Sequence, residues 1–180
     1  LLKELEFLIG GGAVQRFHTV QTIKPNTVAE HSFGVAMLVD LLTGGTASKN
    51  LVVAALRHDM AEQTTGDIPA PAKRAYGLRE QVNAIEEAIM EGSHWPMPTL
   101  TETEKQVLKF ADCLDGALYC IREARIGNAK NMQPCYHNFW SYIRELALPF
   151  DAVMGWPDQR VLKEVMFYTS KLGKEAGLVG

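Results

Sequence analysis

An all-α fold, a single helical bundle, is what this sequence predicts, and three observations carry it. Apolar residues recur at helical spacings of three and four along most of the chain. Two Thr-x-x-Glu segments, Thr27 to Glu30 and Thr101 to Glu104, have the spacing of helix capping boxes. No segment has convincing strand character: "RFHTVQTIKP" carries β-branched residues but is short and ends at Pro25.

Taken in order, "LLKELEFLIGGG" is expected to be an amphipathic helix with Leu1, Leu5 and Leu8 on one side and the glycines as its stop. "NTVAEHSFGVAMLVDLLTGG" closes on Gly44 and Gly45 and places His31, Val35, Leu38 and Leu42 on one stripe. "LVVAALRHDMAE" continues that pattern with Leu51, Ala55, His58 and Glu62. Gly and Pro content makes "TTGDIPAPAKRAYG" and "SHWPMPTLT" loops. "LREQVNAIEEAIMEG" buries Val82, Ile85 and Ile89 and turns the charges around Arg79–Glu91 to solvent. "TETEKQVLKFADCLDGALYCIREARIGN" puts Val107, Ala111, Leu114 and Leu118 on one face. Two further helices are expected near 136–147 and 157–172, the last with Pro157 in its first turn. With no repeat, low-complexity tract or dividing linker, residues 1–180 are expected to form one domain.

The 180 residues are 47% hydrophobic, enough for one sizeable core. The formal net charge is −3 with no long basic stretch, which argues against a nucleic-acid polymer as partner. Cys113, Cys120 and Cys135 form no CxxC pair and suit a reducing compartment. No apolar run reaches membrane-spanning length, and the N-terminus lacks the features of a signal peptide, so no membrane association and a cytoplasmic location are expected. The chain begins with Leu rather than Met, and a few residues are expected to have been trimmed or left out ahead of it.

The chemistry concentrates in "ALRHDMAEQTTGDIPAPAKR", which sets Arg57-His58-Asp59, Glu62 and Asp67 against an apolar pattern. His31 lies in the buried stripe of a second helix, and Asp112 lies beside the apolar face of a third. A lone His on such a face is ordinarily a satisfied core histidine, with an Asp as its hydrogen-bond partner. Two such histidines with Asp59 and Asp112 are different, because burying that many charges without a compensating cation is costly. A divalent metal removes the difficulty, and His plus carboxylate suits Zn, Mn, Fe or Co. Neither HExxH nor a Cys-rich zinc pattern is present.

The order His31, His58-Asp59, Asp112 resembles the signature of the HD-domain phosphohydrolases. "TVAEHSFGVAML", "RHDMAEQTTGDIPAPAK" and "KFADCLDGALYCIREARIGN" resemble segments of a small helical subgroup, the bacterial 5′-deoxynucleotidases of the YfbR type. With "VQRFHTV" upstream, these segments cover roughly residues 10–130, and H-D-x-x-E-x-x-x-G-D-[IL]-P is far more specific than a bare His-Asp. "GGAVQRFHTVQTIKPNTVAEHSFGVAML" is similar to a phage branch, the dATP triphosphohydrolases that remove dATP where 2-aminoadenine replaces adenine.

The resemblance implies a single HD domain holding a divalent transition metal (Zn, Co or Mn) on His31, His58, Asp59 and Asp112, with Asp115 a rival for the fourth place and Mg at a second, substrate-bound site. It implies that Glu62 acts on the attacking water or the leaving oxygen, the alternative being a hydrogen bond to a metal-bound His. Asp67 becomes a proton donor or substrate-positioning group, or else a simple turn former. Arg16 takes the substrate phosphate, and Phe17, where relatives carry Trp, stacks on base or sugar or belongs to the core. Lys73 and Lys109 face the β and γ phosphates of a triphosphate, or are surface lysines. Ile23 lies against the purine edge and rejects a 2-amino group, or merely seats its loop. His18, His94 and His137 are expected to be peripheral.

The implied reaction is cleavage of dATP, and also of dADP and dAMP, at the α-phosphorus, giving deoxyadenosine plus triphosphate, diphosphate or phosphate. A 5′-deoxynucleotidase restricted to monophosphates is the near alternative, and a non-catalytic HD-fold binding module the distant one. The implied partners are a small deoxynucleotide and further copies of the chain, in a dimer or hexamer. The implied location is the cytoplasm, that of the host cell for a phage protein.

Overall fold

In the computed structural model, which describes residues 2–147 and 159–178, helices joined by short turns surround one two-residue ladder. The order is α1 (Leu2–Ala13), β1 (Gln15–Arg16), β2 (Asn26–Thr27), α2 (Val28–Leu42), α3 (Lys49–Arg57), α4 (Glu62–Thr65), α5 (Ala70–Ala75), α6 (Arg79–Glu91) and α7 (Glu102–Glu123). A π turn (Ala124–Asn128), kinked at Gly127, leads into α8 (Ala129–Ala147), and α9 (Gln159–Glu175) follows. Both capping boxes form: the Thr27 and Thr101 side chains accept from the amides of Glu30 and Glu104, whose carboxylates accept in return.

Helix α7 is the central element, packing on α2, α3 and α8. Its Val107, Phe110, Ala111 and Leu114 meet Val35, Val39 and Leu42 of α2, Leu51 and Ala55 of α3, and Met132, Tyr136 and Ile143 of α8 in one core. No described helix is long and apolar enough to cross a membrane.

Several elements differ from expectation for identifiable reasons. Helix α1 runs through its glycines, because their bare backbone packs on α4; a Cβ on Gly10 would stand 2.9 Å from Gln63 Nε2. Its Leu5, Leu8 and Ile9 are exposed, so that apolar stripe is outside the core. Gln15–Arg16 and Asn26–Thr27 pair antiparallel, closing the loop between them. Helix α3 ends at Arg57 instead of continuing to Glu62. The expected loop at 64–77 contains α5. In α6, Val82 and Met90 are buried while Ile85 is exposed. Helix α8 begins at Ala129 and tolerates Pro134 inside it, because burying Met132, Tyr136, Trp140 and Ile143 outweighs one missing hydrogen bond. Pro157 lies outside the described residues.

Candidate active site

The break after α3 builds the site. From Arg57 to Thr64 the backbone bonds run between residues three apart: Met60 N–H to Arg57 O (3.0 Å), Glu62 N–H to Asp59 O (3.1 Å) and Thr64 N–H to Ala61 O (3.0 Å). His58 and Asp59 follow the last residue of α3, and both side chains reach one place, where His31 of α2 and Asp112 of α7 also arrive.

His31 Nε2 lies 3.1 Å from His58 Nε2, 3.5 Å from Asp59 Oδ2 and 3.3 Å from Asp112 Oδ1. His58 Nε2 is 3.4 Å from Asp59 Oδ2. Each ring's other nitrogen is engaged elsewhere: His31 Nδ1 meets Asp115 Oδ2 at 2.7 Å, and His58 Nδ1 meets Ala55 O at 2.9 Å. A carbonyl accepts only a hydrogen, so His58 carries a proton on Nδ1, and the Asp115 carboxylate favours one on Nδ1 of His31. Two Nε2 atoms and two carboxylates thus converge, a donor set that fits a divalent cation, which would replace any proton shared between the rings. The ligand atoms of His31, His58 and Asp112 all lie within 4.8 Å of one another, and Asp59 joins through its contacts to both rings. Asp115 is occupied on the far side of His31, where Gly34 of α2 leaves room: a Cβ there would stand 3.0 Å from Asp115 Cγ.

Burial opposes ionisation of Asp59 and Asp112, but the surrounding cations prevail. His58, His31 and Arg16 hold Asp59 below its ordinary value, and Lys109 with the imidazoles holds Asp112 well below it. Glu62 goes the other way. Burial, then the carboxylates of Asp59 and Asp67, push it up to about 9. Its Oε2 is buried without a hydrogen-bond partner among the described residues. Burial likewise raises Asp67, whose Oδ2 stands 4.0 Å from His18 Nδ1.

A cavity of about 440 Å³ opens from this cluster. Arg16 enters it from β1, with Nη1 donating to Asn26 Oδ1 (3.3 Å), Nε 3.9 Å from Asp59 and Nη2 4.0 Å from Asp112. Phe17 lines it in a left-handed backbone conformation (φ 57°), its ring 4.5 Å from that of Tyr119 and 6.0 Å from that of Phe139. Asp67, Lys73 and Lys109 line it too, Lys73 paired with Glu86 (3.3 Å) and Lys109 with Asp112 (2.6 Å). Ile23 does not line it. That side chain is 56% exposed, and its residue is held through the backbone, N–H to Glu123 Oε2 at 2.7 Å; Thr19 and Val20 face the cavity instead.

A second wall of the cavity was not legible in the sequence. Cys135, Asn138, Phe139 and Tyr142 of α8 line the cavity, with Arg74 and Arg79 opposite. The α8 residues sit at i, i+3, i+4 and i+7, a legible stripe once that helix is known to begin at Ala129. The arginines carry no such signal, and Arg79 had been expected to face solvent. His94 pairs with Glu4 (2.9 Å) at the surface, and His137 is exposed.

A helical frame presenting imidazoles and carboxylates beside an arginine-bearing cavity fits one class, the HD-type metal-dependent phosphohydrolases. A family model described as "5′-deoxynucleotidase YfbR-like" matches residues 12–153, and the chain belongs to that family. It is similar to a 5′-deoxynucleotidase of Citrobacter koseri, 27% identical over 138 residues that span 64% of this chain and 69% of that protein. It is also similar to the 5′-deoxynucleotidase YfbR of Escherichia coli, 25% identical over the same shares. In fold it resembles the cyanophage S-2L HD phosphohydrolase DatZ, solved bound to dA and one catalytic Zn2+ ion (TM-score 0.70, 24% identity, 96% of this chain and 97% of that). The PH0347 protein of Pyrococcus horikoshii has the same fold (TM-score 0.70, 20% identity, 96% and 99%).

Proposed function

We propose that the chain is a single-domain, metal-dependent phosphohydrolase that cleaves dATP, and also dADP and dAMP, at the α-phosphorus. Deoxyadenosine is released with triphosphate, diphosphate or phosphate. The observation that carries this reading is the cavity itself, which joins an imidazole–carboxylate cluster to the cations of Arg16 and Lys73. His31, His58, Asp59 and Asp112 would hold a divalent transition metal (Zn, Co or Mn), with Mg entering on the substrate. Such an ion supplies Lewis-acid polarisation of a phosphate oxygen and acidifies water.

The chain's own residues do the rest. Arg16 offers its guanidinium fork to the α-phosphate and lies against the Phe17 ring, its Cζ 5.7 Å from the centroid. Phe17 and Phe139 supply flat apolar surface for the nucleoside. Glu62, a buried carboxyl with an unpartnered oxygen, acts on the leaving oxygen in the protonated form its surroundings favour, or on the attacking water once positive charge at the carboxylate cluster lets it ionise. Asp67, whose carboxyl burial keeps protonated more readily than an ordinary one, returns a proton to the departing 5′-oxygen. Lys109 fixes Asp112 from the cavity wall, and Lys73 waits for phosphate beyond the α position. Ile23 serves base selection only through the loop that brings Val20 to the cavity.

The names of the sequence relatives favour a second reading, a 5′-deoxynucleotidase confined to monophosphates. Metal-loaded protein given deoxynucleoside mono-, di- and triphosphates, with products resolved by chromatography, separates the two. Deoxyadenosine plus triphosphate from dATP supports the first, and phosphate from dAMP alone assigns the second. No product with Mn, Co, Zn or Mg overturns both. We further propose a homo-oligomer, dimer or hexamer, supported by the exposed stripe Phe33, Met37 and Leu41 on α2; a monomer in sedimentation would reject it.

A further inference from the structure

Arg74 and Arg79 form a cationic corner that the metal-site chemistry does not use. Arg74 lies in the last turn of α5 and Arg79 opens α6, with a tight corner through Gly77 between them. Both guanidinium groups donate to one atom, the Tyr142 hydroxyl oxygen of α8, at 2.8 Å and 3.1 Å, and Arg74 Cζ stands 5.2 Å from that ring's centroid. The two donors lower the Tyr142 phenol from its ordinary value.

The other cations of the cavity have carboxylate partners: Lys73 has Glu86, Lys109 has Asp112, and Arg16 faces Asp59 and Asp112. Among the described residues, Arg74 and Arg79 have no carboxylate within ion-pair distance. A guanidinium has five N–H donors and a phenol oxygen two lone pairs, so most donors of the pair remain unused. Two like charges gathered on one neutral oxygen repel each other, and Arg79 also sits at the positive end of α6, where a cation is disfavoured. Both side chains are exposed and water takes the unused donors, so what an anion between them would relieve is the like-charge repulsion and the helix-end penalty.

We propose that Arg74 and Arg79, ordered by Tyr142, are a subsite for the polyphosphate tail of the substrate. The inference rests on the proposed reading of the cavity as a deoxynucleotide site, with the α-phosphate at Arg16. The β and γ groups extend to the corner, where two guanidinium forks match their oxygens. A monophosphate has nothing to place there. The corner therefore selects nucleotides by phosphate number.

The test uses metal-loaded protein turning over dAMP, inhibited by inorganic phosphate or by magnesium triphosphate, the magnesium keeping the chelator off the site metal. Wild type is expected to bind triphosphate at least about tenfold more tightly than phosphate. Arg74→Gln with Arg79→Gln should weaken triphosphate by about tenfold or more, the size of one lost charge-assisted hydrogen bond, and well beyond its effect on phosphate. The Lys pair, which keeps charge without the fork, should recover part of the loss. Equal weakening of both anions, or no triphosphate preference in wild type, overturns the proposal. If no deoxynucleotide is turned over, calorimetric titration of the same two anions decides the subsite independently of the activity.

Discussion

Glu123, the last residue of α7, is 1% exposed and grips the loop that carries Thr19 and Val20 to the cavity. Its carboxylate accepts from Ile23 N–H (2.7 Å), Lys24 N–H (2.8 Å) and Asn128 Nδ2 (2.7 Å). Hydrogen bonds to a charged group contribute about 1.5–3 kcal/mol each. Glu123→Ala removes two backbone bonds outright, while Asn128 keeps Gln21 O at 2.9 Å, so the expected loss is about 3–6 kcal/mol. Glu123→Gln keeps the shape but sets an NH2 against an N–H donor, and about half that loss is expected. The pH dependence follows from the same bonds. Burial opposes ionisation, yet the backbone and Asn128 donors hold the folded carboxyl below its ordinary value of 4.5. Its stabilisation is therefore complete above that value and lost as pH falls through the lowered folded one. Urea unfolding of wild type and both variants at pH 7, repeated toward pH 3, measures this. A Glu123→Ala loss below about 1 kcal/mol, or a wild-type-to-Gln gap that does not shrink in acid, would refute the clamp. With the clamp gone, KM should rise more than kcat falls, because the loop positions substrate rather than reacting atoms.

Other outcomes test the centre itself. His58→Ala and Asp59→Ala should lose bound metal and turnover together, read by elemental analysis and product release; near-normal turnover in either rejects the ligand assignment. Glu62→Gln should keep the metal and lose about 10²–10⁴ in kcat. In metal-free protein the sign is informative: Glu62 is raised to about 9 from 4.5, so the folded state holds the extra proton and loses stability as pH rises between those values. Metal-free Glu62→Gln should therefore gain on metal-free wild type from pH 5 to 9 in thermal melts, and a flat difference contradicts that environment. Gly34→Ala should drive Asp115 off His31 and weaken metal binding by about 10–100-fold in chelator competition.

The helical pattern made α2 and α7 legible because each has a capped start and an apolar stripe, and His31 stood inside one such stripe. His58 was legible as an anomaly but for an incomplete reason. Periodicity extended α3 to Glu62, whereas the helix ends at Arg57, bonds between residues three apart follow, and both His58 and Asp59 reach the site. Arg74 and Arg79 could not be found this way. Exposed arginines beside a Gly turn look solvated in any sequence, and only the approach of Tyr142, 63 to 68 residues away, makes them one feature. The placement of Ile23 was illegible for a related reason: a loop residue's direction depends on what holds its backbone, here a Glu 100 residues distant.

The burial of so much charge around α3 and α7 is tolerable because the groups are sorted by the atoms they leave free. Asp115 and Ala55 O each take one imidazole N–H, which leaves the two Nε2 atoms facing each other and the carboxylates of Asp59 and Asp112. Burial and Arg16 oppose a charge on His31, yet Asp112 and Asp115 raise it above its ordinary value, so in the absence of a cation one further proton fits the 3.1 Å His31–His58 contact. A divalent cation would take the place of that proton, with two imidazoles and two carboxylates as its donors. The same polarity explains the cavity beyond it. An anionic cluster that repels phosphate becomes attractive once neutralised, and Arg16, released in part from Asp59 and Asp112, and the Arg74–Arg79 corner line the same cavity.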